Sequence, residues 1–549
     1  LVRVGLTVVV SPLVALMEDQ VAALKLDGVA ADTINSSRDR DINVDTWRRV
    51  AAGAVRMLYI SPERLMTERM LAALGRLDVV QIAIDEAHCI SRWGPSFRPE
   101  YEALGRLGEL FPGVPLAAFT ATADEATRQD IAAKLFHEKG RIFVTGFDRP
   151  NIHLAVETRG DWKGQLLDFV AARPGVSGIV YCLSRKKTEA TAALLVKNGV
   201  HALAYHAGLD SATRTANQDI FMTEPGVVMV ATIAFGMGID KPDVRYVFHA
   251  NLPGNMEAYY QELGRAGRDG APADAFMLYG LDDIRQRRVF IQEDDGDEEH
   301  KRREHKRLDA LISYCEAPQC RRRAMLSYFD EATEPCGNCD ICLDPPTLED
   351  GTAHAKAVLG AVAQTGQRFG AVHIIEVVLG ADTEKIRDLG HQRLSAYGLG
   401  GDENKDTWRS IIRQLVAAGL LRLDITGYGG LKLTVAGEAL LEDGGAFAFR
   451  RDKARPKKRL KSTAPRTKAH AELSESDEGL FAALKELRLD LARQRGVPAY
   501  VIFSDRSLLS MAATKPTDEM AFAEVFGVGE AKLRDFAAPF MAAISEFTK

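Results

Sequence analysis

Nowhere in its 549 residues does this sequence place a lysine directly after a glycine. That absence excludes from these residues a Gly-x-x-x-x-Gly-Lys-Ser/Thr loop, the usual cradle for the β and γ phosphates of a nucleotide. Nor does any apolar run approach the 18 or so residues that a membrane-spanning helix needs. The opening Leu-Val-Arg-Val-Gly-Leu-Thr-Val-Val-Val has the outline of a short signal peptide. Ser11-Pro12 and an amphipathic stretch ending in Glu18-Asp19-Gln20 follow it, which suits strand, turn and helix and makes the cytoplasm the expected compartment. An excess of positive charge is also missing. At a net charge of −6, attraction to nucleic acid has to come from local patches. Cysteine is scarce, with seven in all, yet four of them cluster, and in a cytoplasmic chain such clustering argues for metal rather than disulfides.

What is present is ordinary globular protein, 46% apolar and 27% charged, and too long for one hydrophobic core, so three to five domains are expected. Up to about residue 280, short β-rich runs alternate with helical patterns. Gly5–Val10, Arg56–Ile60, Val79–Asp85 and Leu116–Thr120 form one set, and Gly178–Cys182, His201–Tyr205, Val227–Ala231 and Val244–Ala250 a second. Strands alternating with helices imply parallel sheets of βαβ units, here an α/β pair of lobes divided near Arg149-Pro150-Asn151. Residues 351–445 pattern as helices followed by Leu421–Ile425 and Leu431–Thr434 around a Gly-rich turn, the make-up of a winged helix. Residues 450–468 hold ten Lys or Arg against one acid, a charge of +9 in nineteen residues without helical period. They suit a flexible basic linker, whether it contacts DNA or only solubilises. A wholly helical segment, 473–549, closes the chain.

The most informative single string is Asp85-Glu86-Ala87-His88, at the end of the strand Val-Val-Gln-Ile-Ala-Ile. Carboxylates at the C-terminal end of a parallel strand lie where α/β folds bind ligands. An Asp there can hold magnesium, and the adjacent Glu can polarise an attacking water. An ordinary acidic turn would read the same in isolation, so the context decides.

That context resembles the RecQ family of superfamily-two helicases, block by block over nearly the whole chain. Ser11–Val21 is similar to the family's motif after the phosphate loop, Asp85–His88 to motif II and Phe119-Thr120-Ala121-Thr122-Ala123 to motif III. Phe147-Asp148-Arg149-Pro150-Asn151 resembles the entry to the second lobe. Gly178–Ser184, Tyr205–Gly208 and Ala231–Asp240 resemble motifs IV and V, and Gln261–Gly270 resembles motif VI. The resemblance implies two RecA-like lobes (1–150 and 151–283), a zinc-binding subdomain (284–350), a winged helix (351–445), a basic linker (446–472) and an HRDC-like domain (473–549).

It also implies an ATP-dependent DNA helicase moving 3′ to 5′, with roles in repair, recombination and the SOS response. Catalysis would fall to Asp85, Glu86, His88, Gln261, Arg265 and Arg268, with Asp85, Gly238, Asp240, Arg265 and Arg268 at the nucleotide and magnesium as cofactor. Arg265 and Arg268, three apart, would share one helix face and could reach a phosphoryl group across an interlobe cleft. A surface helix with scattered basic residues is the bland alternative, made less apt by Gly264 and Gly267, which permit close approach. Arg92, Trp93, Phe97 and Arg98 interleave aromatic and cationic side chains behind the carboxylates, as suits stacking on single-stranded bases. Packing in a core would use such aromatics equally well elsewhere.

Cys320, Cys336, Cys339 and Cys342 match the family's zinc pattern; two disulfides or an iron–sulfur cluster would draw on the same thiols. Cys315 is expected to be a buried neighbour. Arg321-Arg322-Arg323 would face DNA phosphates or solvent. Gly527-Val528-Gly529, before the last helix, suits either a phosphate contact or a plain turn. The expected partners are single-stranded and forked DNA, with single-strand-binding protein as a further one, at the bacterial nucleoid. A DNA-structure-binding protein without catalysis and an RNA helicase are the competing readings.

The family's phosphate loop and adenine-reading motif would both precede Leu1. The expectation is therefore a fragment of a longer helicase that binds DNA and, alone, hydrolyses ATP poorly or not at all. A missing strand of the first sheet would leave Leu6–Val10 unpaired and prone to aggregation.

Overall fold

In the computed structural model of the chain, the described residues are 4–36, 38–91, 98–123, 125–137, 139–235, 241–423, 430–451, 475–495, 497 and 499–547. Arg92, Trp93, Phe97, Gly238, Asp240 and most of the basic run therefore lie outside the description. Among the described residues no helix is long and apolar enough to cross a membrane.

The first lobe is a five-stranded parallel sheet of β1 (Leu6–Val10), β2 (Ala31–Ile34), β3 (Met57–Ile60), β4 (Val79–Ile84) and β5 (Leu116–Ala118), in the order β2-β3-β1-β4-β5. Contrary to the expectation of an unpaired strand, β1 lies at the centre. Val8 pairs with Leu58 on one side and with Ile82 on the other. Alternate residues Leu6, Val8 and Val10 are buried in the lobe's core beside Ile82 and Ile84, as a run rich in β-branched residues with helices on both faces requires. Among the described residues the open edges fall instead at β2, which pairs with β3 alone, and at β5, which pairs with β4 alone.

The second lobe is a six-stranded parallel sheet of β6 (Ile152–Thr158), β7 (Gly178–Tyr181), β8 (Ala202–Tyr205), β9 (Val228–Ala231), β10 (Tyr246–His249) and β11 (Ala273–Tyr279), in the order β6-β11-β10-β7-β9-β8. β2, β6 and β11 had no counterpart among the expected strands. β7, β9 and β10 are buried at every residue, the signature of strands covered on both faces.

Helices Leu281–Glu293 and Glu298–Glu316 lead from this sheet to the cysteine cluster. The winged helix follows, and its helix Lys405–Ala417 starts at Asn404, whose side chain accepts from the Asp406 and Thr407 amides. That helix buries Trp408, Ile411, Ile412 and Leu415 on one face. β13 (Leu421–Leu423) and β14 (Leu431–Leu433) form the expected antiparallel hairpin, with Leu421 opposite Leu433. A second ribbon joins β12 (Leu348–Asp350) to β15 (Ala448–Arg450). Arg450 and Arg451, read in sequence as the start of a flexible linker, are thus part of a folded edge. Acids hold them there: Glu316 pairs with Arg450, and Glu349 and Glu403 pair with Arg451. The C-terminal helices, from Glu475–Arg495 to Glu530–Phe547, enclose their own core around Leu484, Phe503, Met511 and Phe540.

Candidate active site and metal centre

Strand β4 delivers Asp85 and Glu86 at its C-terminal end. The Asp85 amide donates to the Val10 carbonyl (2.8 Å), and the Ala87 amide to the Phe119 carbonyl (2.9 Å), so both neighbouring strands fix the turn. Between them Glu86 takes a left-handed backbone, φ 49°, with its amide donating to Asp85 Oδ1 at 2.9 Å. A glutamate in that region stores on the order of 1–3 kcal/mol of strain, which the flanking strands must hold. Tyr101 Oη donates to the Asp85 carbonyl (2.9 Å) and closes the back of the turn.

The electrostatics follow from burial. Burial raises the Asp85 carboxyl, and neighbouring Glu86 raises it further. Burial also raises Glu86, while Arg265 and Arg268 of the second lobe and Arg98 of the first pull it back. His88 is pushed down to about 4, by burial first and by Arg98, against the opposing charge of Asp85. Its imidazole is therefore neutral at neutral pH. His88 Nδ1 lies 2.9 Å from Thr120 Oγ1, which donates to the Thr122 carbonyl (3.2 Å). Gln261 Nε2, from the second lobe, donates to Thr122 Oγ1 at 2.6 Å. A hydrogen-bonded path thus runs from the motif II histidine through motif III to motif VI.

Arg265 and Arg268 do not share a helix face as expected. Helix Met256–Leu263 ends before them, and Gly267, at φ +58°, turns the chain. Both arginines occupy that turn, and Gln261 sits in the helix's last turn. Two residues given only a boundary role in sequence hold the turn in shape. Arg149 donates to the carbonyls of Gly264 (3.0 Å), Ala266 (2.8 Å) and Gly267 (3.1 Å), and Asn151 to those of Gly267 (2.8 Å) and Ala271 (2.9 Å). The signal was the Arg-Pro-Asn string itself, whose partners lie more than a hundred residues downstream. Of Arg92, Trp93, Phe97 and Arg98, only Arg98 lies among the described residues. Its guanidinium lies 3.4 Å from the Pro12 carbonyl.

The four expected thiols do meet. The Sγ atoms of Cys320, Cys336, Cys339 and Cys342 all lie within 4.8 Å of one another. Cys320 and Cys339 Sγ are 3.9 Å apart, which is far beyond a disulfide bond and close to the roughly 3.8 Å edge of a tetrahedron with zinc–sulfur bonds of about 2.3 Å. Backbone amides aim at the sulfurs: Cys336 to Cys320 (3.3 Å), Asn338 to Cys336 (3.4 Å), and Arg321 and Cys342 to Cys339 (both 3.4 Å). Burial raises the Cys336 and Cys339 thiols. At Cys320 burial is outweighed by amide donation, leaving it at about 7. A dication at the centre is what would let all four ionise together, so the donor set fits zinc.

Cys315 is buried beside this cluster, as expected. Arg321 and Arg322 face neither DNA nor solvent. Arg321 pairs with Asp340 (3.0 Å) and donates to the Tyr314 and Cys315 carbonyls. Arg322 pairs with Asp148 (3.2 Å) and donates to the carbonyls of Arg149 (3.0 Å) and Ile152 (2.5 Å). Each cation is buried because backbone and carboxylate oxygens replace its water.

Comparison with known proteins agrees with this layout. Five family models match in succession: DEAD/DEAH box helicase over residues 3–131, helicase conserved C-terminal domain over 163–270, RecQ zinc-binding over 281–343, RQC domain over 345–458 and HRDC domain over 477–544. The chain is 41% identical to the ATP-dependent DNA helicase RecQ of Haemophilus influenzae over 544 residues, covering 99% of this chain and 87% of that protein. It is 34% identical to the Bacillus subtilis protein of the same name over 548 residues, covering 99% of this chain and 90% of the other. With its lobes, thiolate cluster, winged helix and C-terminal helical domain in the same order, the chain belongs to the RecQ family of ATP-dependent DNA helicases.

Proposed function

We propose that ATP is hydrolysed in the cleft between the two lobes, and that the helicase moves 3′ to 5′ on single-stranded DNA in repair and recombination. In this reading Asp85 holds a magnesium ion and Glu86 orients and polarises the attacking water, while Arg265 and Arg268 stabilise charge on the transferring phosphoryl group. Gly238 and Asp240 border the nucleotide from the second lobe. Neutral His88, with Thr120, Thr122 and Gln261, ties the state of the cleft to the strand-binding side. Arg92, Trp93, Phe97 and Arg98 grip the single strand there. Single-strand-binding protein is the further partner and the bacterial nucleoid the place of action.

The observation that carries the reading is the 2.6 Å hydrogen bond from Gln261, in the helix that leads into the Arg265–Arg268 turn, to Thr122 of the first lobe, with the charge of both arginines lowering the otherwise raised Glu86 carboxyl. Because these 549 residues contain no Gly-Lys dipeptide, we propose that they do not hydrolyse ATP at helicase rates by themselves. Strand displacement by the helicase carrying these residues, on duplexes with a 3′ tail, a 5′ tail or none, tests polarity. The 3′-tailed duplex should open, and Asp85→Asn should abolish opening. Equal opening of the 5′-tailed duplex would refute the polarity.

A further inference from the structure

A line of charge, buried at Arg321, Glu316 and Arg413, runs from the thiolate cluster to the winged helix. It begins at Asp340, between the cluster residues Cys339 and Cys342. Asp340 accepts the Val156 amide of β6 (3.1 Å) and pairs with Arg321 Nε (3.0 Å) and Nη2 (3.2 Å). Cys339 itself bridges to Leu154 in parallel register, so the cluster's backbone sits against the edge of the second sheet. Arg321 then caps helix Glu298–Glu316, with Nη1 donating to the Tyr314 (2.6 Å) and Cys315 (2.9 Å) carbonyls. Those are carbonyls of the last turn, which lack partners within the helix and favour a cation.

The last residue of that helix is Glu316. Its carboxylate is buried and shared by two arginines of the winged-helix module: Arg413 Nε at Oε1 (2.6 Å) and Arg450 Nη2 at Oε2 (3.0 Å). Gln414 locks the second arginine's strand in place, donating to the Arg450 carbonyl (2.8 Å) and accepting its amide (2.7 Å). Arg413 also lies over the ring of Tyr279, at the end of β11.

We infer that this relay lets metal loading of the cluster set the orientation of the winged helix on the second lobe, with Glu316 as the positioning residue. The physical reason is that a buried carboxylate holding two guanidinium groups has no alternative partner in water. When its helix end moves, that carboxylate either carries both arginines with it or is left buried without them. Arg321 fixes that helix end only while Asp340 and the Cys339 backbone are held in place, and a cation gathering the four thiolates holds them. The hairpin β13–β14 rides on the same module, so its angle to the lobe is fixed through the same contact.

The test uses the whole zinc-loaded chain with non-cysteine spin labels at Asn198 in the second lobe and Asp402 in the winged helix, both exposed. Pulsed dipolar spectroscopy should give one narrow distance. Removing the metal with a chelator should replace it with a broad distribution. Glu316→Gln should do the same with its zinc content intact, and chelation of that variant should broaden it no further. Arg413→Lys gives an independent reading of the contact and should also lose the narrow peak. Arg409→Ala, which removes only an exposed pair with Asp406 on the same helix, should keep it. A narrow distance surviving in Glu316→Gln and Arg413→Lys would overturn the inference. So would an unchanged distance in the chelated wild type, or further broadening when Glu316→Gln is chelated.

Discussion

Gln261 of the second lobe donates a 2.6 Å hydrogen bond to Thr122 of the first. It joins motif VI to a motif III segment that already holds His88 through Thr120. The bond exists only when the lobes are together, so it stabilises the closed cleft rather than either lobe. A net hydrogen bond contributes about 1 kcal/mol, which shifts a two-state opening equilibrium roughly fivefold. We expect Gln261→Ala to raise the open fraction by that factor, read by single-molecule energy transfer between dyes on the two lobes. Thr122→Ala should give the same shift and the double variant no more; additive effects would mean that the two residues act separately.

Gly267 makes the Arg265–Arg268 turn possible. A Cβ there would press on Asn151 Nδ2 and lie 2.7 Å from the Ala271 carbonyl, at a φ of +58°. Gly270 has a comparable backbone, φ +81°, with nothing within 4 Å. Gly270→Ala should therefore cost only the left-handed backbone penalty, about 1 kcal/mol. Gly267→Ala should cost about 2–4 kcal/mol, because steric overlap with fixed backbone adds to it. Denaturant midpoints of the second lobe compare the two, and equal losses would count against a tight Asn151 clamp.

His88 makes the first lobe acid-sensitive. Its folded pKa, about 4, lies below the unfolded value of 6.5, so between these the unfolded chain binds a proton that the folded chain refuses. Stability is retained above pH 6.5 and lost as pH falls towards 4, by about 3 kcal/mol. Asp85 and Glu86, both raised, act in the opposite sense and offset part of the loss. His88→Gln should flatten the dependence of the lobe's denaturation midpoint between pH 7 and pH 4.5, and an unchanged slope would remove His88 as its source.

Metal analysis should find one zinc per chain and no visible iron–sulfur absorption. Chelation should raise hydrogen exchange in residues 281–343 and in β6, whose Leu154 and Val156 touch Cys339 and Asp340, while β1 and β4 keep their protection. Uniform loss across both lobes would show that the metal supports more than its own subdomain.

Much of this was legible in the sequence because the chemistry is local. The cysteine spacing, the acidic pair after an apolar strand, and apolar runs such as Val228–Ala231 each carry their meaning within a few residues. What escaped depends on distant partners. β2, Ala-Asp-Thr-Ile, hides because Asp32 looks like a turn residue, yet Arg38, Arg49 and Lys25 neutralise it in place. Arg321 and Arg322 read as solvated or DNA-facing, and Arg322 is buried by carbonyls of Arg149 and Ile152 about 170 residues earlier. The helix expected to carry Arg265 and Arg268 stops at Leu263, and the chain goes on into a turn in which Gly267 adopts a left-handed backbone, a conformation that spacing alone does not reveal.

The most direct test is the ATP turnover of the 549-residue polypeptide with and without 3′-tailed DNA, beside its Glu86→Gln variant. The residues proposed to complete phosphoryl transfer are present, and the charge of Arg265 and Arg268 acts on the Glu86 carboxyl, but no Gly-Lys dipeptide occurs to grip the phosphates. We expect the DNA to bind and the turnover to match that of Glu86→Gln, unstimulated. Turnover that rises with DNA and vanishes in Glu86→Gln would contradict it.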